Sequence, residues 1–155
     1  MKLEHSRDYK LLARLNRGVH ELHVQLYPEY FKPYNYEKMI ELFQTYMEDE
    51  NNYFLVLFDA ETAKGFIFYE IVTKSNTPFN KEYKSLYVHQ ISIEETARSS
   101  GYGKALMIEL ENIAYTLKVD CIELDYWVDN HVARNFYEKL GFHKKREFVR
   151  KDLDT

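Results

Sequence analysis

Cysteine is almost missing from this chain of 155 residues: Cys121 is alone, so no internal disulfide can form. Its neighbours Asp120, Ile122, Glu123 and Leu124 read as strand, which predicts a buried, inert thiol in a reducing compartment. Glycine (5) and proline (3) are also scarce, which argues for long regular elements joined by few loops. A basic excess is absent, with 21 Lys and Arg against 25 Asp and Glu and a net charge of -4, so no electrostatic footprint for nucleic acid exists. No apolar run approaches the roughly 18 residues of a membrane span, and Met1-Lys2-Leu3-Glu4-His5 has no apolar signal core. The expectation is a soluble, cytoplasmic protein without a membrane partner. Length leaves no room for a second catalytic domain, so one domain is expected over 1–155.

Aromatic residues, by contrast, are plentiful: 14 Tyr, 10 Phe and one Trp make up 16% of the chain. With 45% hydrophobic and 30% charged residues, the composition is that of a globular domain with a real core. Leu12, Leu15, Val19, Leu22 and Leu26 recur at helical spacing over 8–26, with Asp8 at the start. Tyr36, Met39, Ile40, Phe43 and Met47 form a second such stripe, with Asn35 placed as its N-cap. The period then switches to that of strands over 52–59 and 66–72, joined by a turn at 60–65 as a hairpin. A polar loop over 73–81 and a strand over 83–93 follow. A helix over 101–117, a strand over 121–128, a helix over 130–140 and a final strand over 142–149 complete the order, with a short strand at 2–5 in front. A meander followed by a βαβ crossover predicts a mixed α/β fold, with helices on both faces of one sheet.

The segment from Ile91 to Leu106 carries the chemistry. A strand runs into Arg98-Ser99-Ser100-Gly101-Tyr102-Gly103-Lys104, whose glycines open a helix. The first N–H groups of a helix lack intrahelical partners and lie at the positive end of its dipole, where phosphate binds. Arg98 adds a charge, and the missing side chains of Gly101 and Gly103 let a ligand approach the backbone. The same residues also suit a tightly packed helix start that binds nothing. A P-loop does not fit, because Ala105 follows Gly103-Lys104, and a dinucleotide fingerprint fails where Leu106 stands.

Arg98-Ser99-Ser100-Gly101-Tyr102-Gly103 resembles the R/Q-x-x-G-x-G/A signature of the GNAT superfamily of acyl-CoA-dependent N-acetyltransferases. Asn130-His131-Val132-Ala133-Arg134-Asn135-Phe136-Tyr137, ending in Gly141-Phe142, is similar to that family's second signature, N-x-x-A-x-x-F-Y-x-x-x-G-F. The resemblance implies a mostly antiparallel central sheet with two splayed parallel strands, 83–93 and 121–128. It implies acetyl-CoA as co-substrate and no metal. Its pyrophosphate would lie on the amides from Arg98 to Lys104, and its pantetheine arm on the main chain of Ile91 and Ile93. Asn130 would contact that arm through its side chain, with Asn135 as a lesser candidate.

The implied reaction is acetyl transfer to a primary amine by direct attack in a ternary complex. Tyr137 matches the family's general acid; a phenol near pKa 10 is well matched to an aliphatic thiol. Tyr137 equally suits a core aromatic, since Val132, Ala133, Phe136 and Leu140 share its face. Strand alternation puts Tyr87, His89, Ile91 and Ile93 on one face and Val88, Gln90 and Ser92 on the other. His89 then stands where several relatives carry a glutamate base, and an imidazole suits that task at neutral pH; a structural histidine is the other reading. The resemblance implies that the loop between the first two helices and the hairpin region select the acceptor; that loop carries His20, Glu21, His23, Tyr27, Tyr30, Phe31 and Tyr34, an aromatic and acidic wall that could attract an ammonium group or could be loop packing. His20 and His23 lack a third partner for a metal. A non-catalytic acyl-CoA-binding regulatory module and a protein N-terminal or lysine acetyltransferase are the competing readings. A homodimer is expected through the edge left by the final strand.

Overall fold

The computed structural model describes residues 1–154. The elements run β1 (Lys2–His5), α1 (Tyr9–Leu26), α2 (Tyr36–Tyr46), β2 (Asn52–Asp59), β3 (Thr62–Lys74), β4 (Tyr83–Ile93), a 3-10 turn (Glu95–Ala97), α3 (Tyr102–Thr116), β5 (Cys121–Leu124) and α4 (His131–Lys139). The chain divides into two compact units, Met1–Asp125 and the residues from Tyr126 onward.

In the first unit the strands form one sheet in the order β1-β2-β3-β4-β5, antiparallel except for the parallel pair β4 and β5. Both long N-terminal helices start where a side chain satisfies an orphan amide: Asp8 accepts from Leu11 N–H at 3.1 Å, and Asn35 from Lys38 N–H at 3.0 Å. The apolar stripe of α1 and α2 meets one face of the sheet, where Leu12, Leu15, Phe43, Phe54, Val56, Phe66 and Phe68 form a buried cluster. Phe54 and Phe68 stack across neighbouring strands with ring centres 4.5 Å apart. Alternation sends Leu55, Leu57 and Ile67 to the opposite face. There α3 packs across β2, β3, β4 and β5 with Leu106, Met107 and Leu110 fully buried.

Three expectations need correction. First, the hairpin turn is tighter than 60–65: only Ala60 and Glu61 separate β2 from β3, both at positive φ (51° and 64°). The two-residue hairpin wants that backbone, yet no Asn-Gly marks it. Gly65 instead lies inside β3, where an added Cβ would come within 2.6 Å of the Ser92 carbonyl oxygen and of Ile93 Cδ1.

Second, the alternation assumed for β4 breaks. Phe68 pairs with Gln90 and Tyr69 with Val88, which leaves His89 as an extra residue in a β-bulge. His89, Gln90 and Ser92 therefore belong to the α1/α2 side: His89 meets the Phe68 ring, Gln90 accepts from Asn16, and Ser92 donates to the Leu15 carbonyl. His89 does not share a face with Ile91 and Ile93.

Third, the strand at 121–128 stops at Leu124, and the final strand over 142–149 does not form: among the described residues those after Gly141 have no regular structure. The physical reason is legible afterwards. Lys144, Lys145, Arg146, Arg150 and Lys151 crowd this stretch, and its apolar residues Phe148 and Val149 are adjacent, so they give neither face of a strand an apolar row. Both are exposed. The dimer edge expected there is lost with the strand. Cys121 is half-buried in β5, less enclosed than its neighbours suggested.

Candidate active site

The first unit brings together an open strand edge, a glycine loop and a cleft. β4 pairs with β5 only from Ser85 to Val88, so it runs on from His89 to Ile93 after the parallel rungs end. The rungs end because β5 itself stops at Leu124. Ile91 and Ile93, both half-buried, lie in that unpaired stretch and keep their antiparallel partners Ile67 and Gly65 on the β3 side.

The chain then enters the loop through the Glu95–Ala97 turn. Ser99 and Gly101 take positive φ (64° and 81°), and α3 begins at Tyr102 with Gly101 as its N-cap. No side chain caps this helix, so the amides of Tyr102, Gly103 and Lys104 have no partner within it. Ser99, Ser100, Gly101 and Lys104 are exposed. Three contacts fix the loop. Glu94, at its entrance, pairs with Arg14 of α1 at 3.0 Å. The Arg98 guanidinium lies against Gly18 of α1, where a Cβ would come within 3.0 Å of Nη2. Tyr102 donates its hydroxyl to Asp59 Oδ2 at 2.6 Å, tying the helix start to the end of β2. That bond holds the Asp59 carboxyl below its usual range and pushes the Tyr102 phenol up.

On the α1/α2 side of the sheet a cleft of about 330 Å³ is lined by Tyr46, Asp49, Asn52, Phe68, Glu70, His89 and Gln90. The bulge projects His89 into it, with Nε2 2.7 Å from Glu70 Oε1. Glu70, Asp49 and Tyr46 were missed by the sequence reading; the one available signal was a lone carboxylate inside the apolar run Phe66-Ile67-Phe68-Tyr69-Glu70-Ile71-Val72.

In the residues from Tyr126 onward, Asn130 caps α4: its Oδ1 accepts from Ala133 N–H at 3.1 Å. The cap uses one acceptor site of that oxygen and leaves the amide nitrogen's donors for another partner. Asn135 is exposed on α4. Tyr137 is only 6% exposed, stacked on Tyr126 at 6.0 Å and edge-on to Phe136 and Phe142. Burial pushes its phenol up, away from the match with a thiol that its ordinary value offers. Tyr137 thus has the surroundings of a core aromatic, whatever else it does.

The aromatic segment after α1 packs largely on itself. His20 bonds the Lys32 carbonyl at 2.7 Å, His23 stacks on Phe31 at 5.1 Å, and Tyr34 donates to the Ala13 carbonyl at 2.6 Å. The guanidinium of Arg17 lies 5.4 Å from the centre of the Tyr34 ring and pairs with Glu21 at 2.8 Å. Any cation attracted to that ring meets one already there. Among the described residues no helix is long and apolar enough to cross a membrane.

Known proteins resemble this chain along its whole length. A mutant of the BH1408 protein from Bacillus halodurans has a solved structure with TM-score 0.91 at 27% identity, covering 99% of both chains. The aminoglycoside antibiotic 6'-N-acetyltransferase of Acinetobacter haemolyticus matches at TM-score 0.71 and 13% identity, over 100% of this chain and 99% of that one. A ribosomal-protein-alanine N-acetyltransferase from Brucella melitensis biovar Abortus matches at 0.69 and 14%, over 99% and 100%. The curated proteins give no match. The sequence itself matches the Acetyltransferase (GNAT) family over residues 17–142. That span takes in the glycine loop, the extended edge of β4 and the second motif; the chain belongs to the GNAT acetyltransferase family.

Proposed function

We propose that this protein transfers an acetyl group from acetyl-CoA to a primary amine by direct attack. The observation that carries the reading is the pairing of β4's open edge beyond Val88 with an uncapped helix start directly after it. An open strand edge suits an amide-bearing pantetheine arm, which can bond to main chain as a strand does. The amides of Tyr102, Gly103 and Lys104 suit the pyrophosphate, with Ser99, Ser100 and Gly101 leaving its approach clear and Arg98 adding charge. Ile91 and Ile93 supply the pairing main chain, and an N–H at Ile91 polarises the thioester carbonyl. Asn130, through its amide nitrogen, and Asn135 are the further contacts assigned on the second motif.

In the reaction the amine nitrogen forms a bond to the carbonyl carbon and the C–S bond breaks. His89 takes the proton that the amine loses, and Tyr137 gives one to the departing sulfur. The cleft beside His89 receives the acceptor. Of the two regions the resemblance implies, the packing of His20, His23, Phe31 and Tyr34 favours the hairpin, which carries Glu70, over the segment after α1.

The test is release of thiol from acetyl-CoA against a panel of small amines and peptides, after a thermal shift with CoA. Turnover with a primary amine is the expected result. A shift with CoA and no thiol release from any acceptor would make the protein a binding module and overturn the reading. Tyr137→Phe should lower kcat by about 10²-fold with CoA affinity nearly unchanged, measured by steady-state kinetics and titration; an unchanged kcat would return Tyr137 to the core.

A further inference from the structure

We infer that Glu70 is the positioning residue for His89, fixing which ring nitrogen is left to accept a proton in the cleft. The inference rests on the acetyl-transfer reading above. Glu70 stands on β3 and His89 in the bulge of β4, and His89 Nε2 lies 2.7 Å from Glu70 Oε1. An ionised carboxylate only accepts, so Nε2 carries the hydrogen and donates it; Nδ1 keeps the lone pair. The ring cannot swing away easily, because Phe68 lies against it at 4.6 Å and Tyr87 meets it edge-on at 5.0 Å. Tyr87 is itself held, its hydroxyl donating to Asp125 Oδ2 at 2.7 Å.

The other titratable groups around the ring are Tyr46 and Asp49, which share the cleft wall, and Asp125 behind Tyr87. None of the seven lining residues is Lys or Arg. An ammonium therefore enters among carboxylates, with a neutral acceptor nitrogen between them. When the ammonium gives up one proton, the N–H bond breaks and Nδ1 gains the hydrogen; a second, lost once the C–N bond has formed, replaces the one that Tyr137 gives to sulfur. The nitrogen lone pair turns to the thioester carbon, and the positive charge left on the ring faces Glu70. Glu70 pairs with Tyr87 in the ladder and His89 stands two residues further along β4, so the ring and the carboxylate share one face of the sheet as diagonal neighbours.

The experiment compares the full-length wild type with Glu70→Gln, Glu70→Ala and His89→Ala, using acetyl-CoA and the best amine of the panel. Both Glu70 variants should lose at least about tenfold in kcat, with KM for acetyl-CoA within about twofold. In His89→Ala the acidic limb of the kcat/KM profile should vanish. Long-range 1H–15N NMR should place the proton of the neutral wild-type ring on Nε2, a bias that Glu70→Ala weakens. A Glu70→Ala enzyme with wild-type kcat overturns the positioning role alone. A wild type without that Nε2 proton overturns the pair itself. No turnover in the wild type with any amine overturns the acetyl-transfer reading first, and the positioning role with it.

Discussion

One hydroxyl, that of Tyr102, holds the start of α3 to the end of β2. Its partner Asp59 has a carboxyl lowered chiefly by that bond, then by the N-terminal amine and Lys64 among the charges nearby. A group whose folded-state pKa is depressed stabilises the fold above its unfolded value and loses that contribution as pH falls through the folded one. Tyr102→Phe should therefore lower the thermal midpoint at pH 7, and the gap to wild type should close below the ordinary carboxylate range, near pH 3 to 4. Thermal melts across pH 2.5 to 7 decide it, and a gap constant with pH would show that the phenol acts by packing alone.

At the level of elements, the N-terminal half was open to inspection and the active strand was not. The stripes of α1 and α2 and the caps Asp8 and Asn35 are periodic or local signals, and they formed as read. The bounds of β4, Tyr83 and Ile93, were legible because apolar residues run up to a polar loop on one side and to Glu94-Glu95 on the other. Its bulge was illegible, because an extra residue is defined by the partner strand and not by its own sequence. Glu70 was hidden for the same reason: its meaning depends on what stands across from it. The tail over 142–149 misled in the opposite way, carrying the family's closing Gly141-Phe142 but too many charges for a buried strand. Gly65 offers the sharpest test of the β3–β4 contact. Gly65→Ala puts a methyl group onto the Ser92 carbonyl and Ile93, and should cost about 1–3 kcal/mol in chemical denaturation; a neutral result would mean that β4 gives way there freely.

Across the whole molecule charge is unevenly shared. Residues 1–125 carry 14 Lys and Arg against 20 Asp and Glu, and 126–155 carry 7 against 5. The basic surplus sits in an exposed stretch without regular structure, with Phe148 99% exposed. Limited trypsin should cut first at Lys144, Lys145, Arg146, Arg150 or Lys151; mass spectrometry of the first product checks it, and a first cut inside 1–125 would contradict the assignment. The bulge at His89 has a last consequence. Phe68 opposite Gln90 and Tyr69 opposite Val88 are already consecutive rungs, so a chain lacking residue 89 closes the same ladder with every other β4 side chain on its present face. His89 is supernumerary to the architecture. Its deletion should leave the thermal midpoint at or above that of the wild type while ending acetyl transfer, which would separate the residue the sheet does not need from the one the chemistry does.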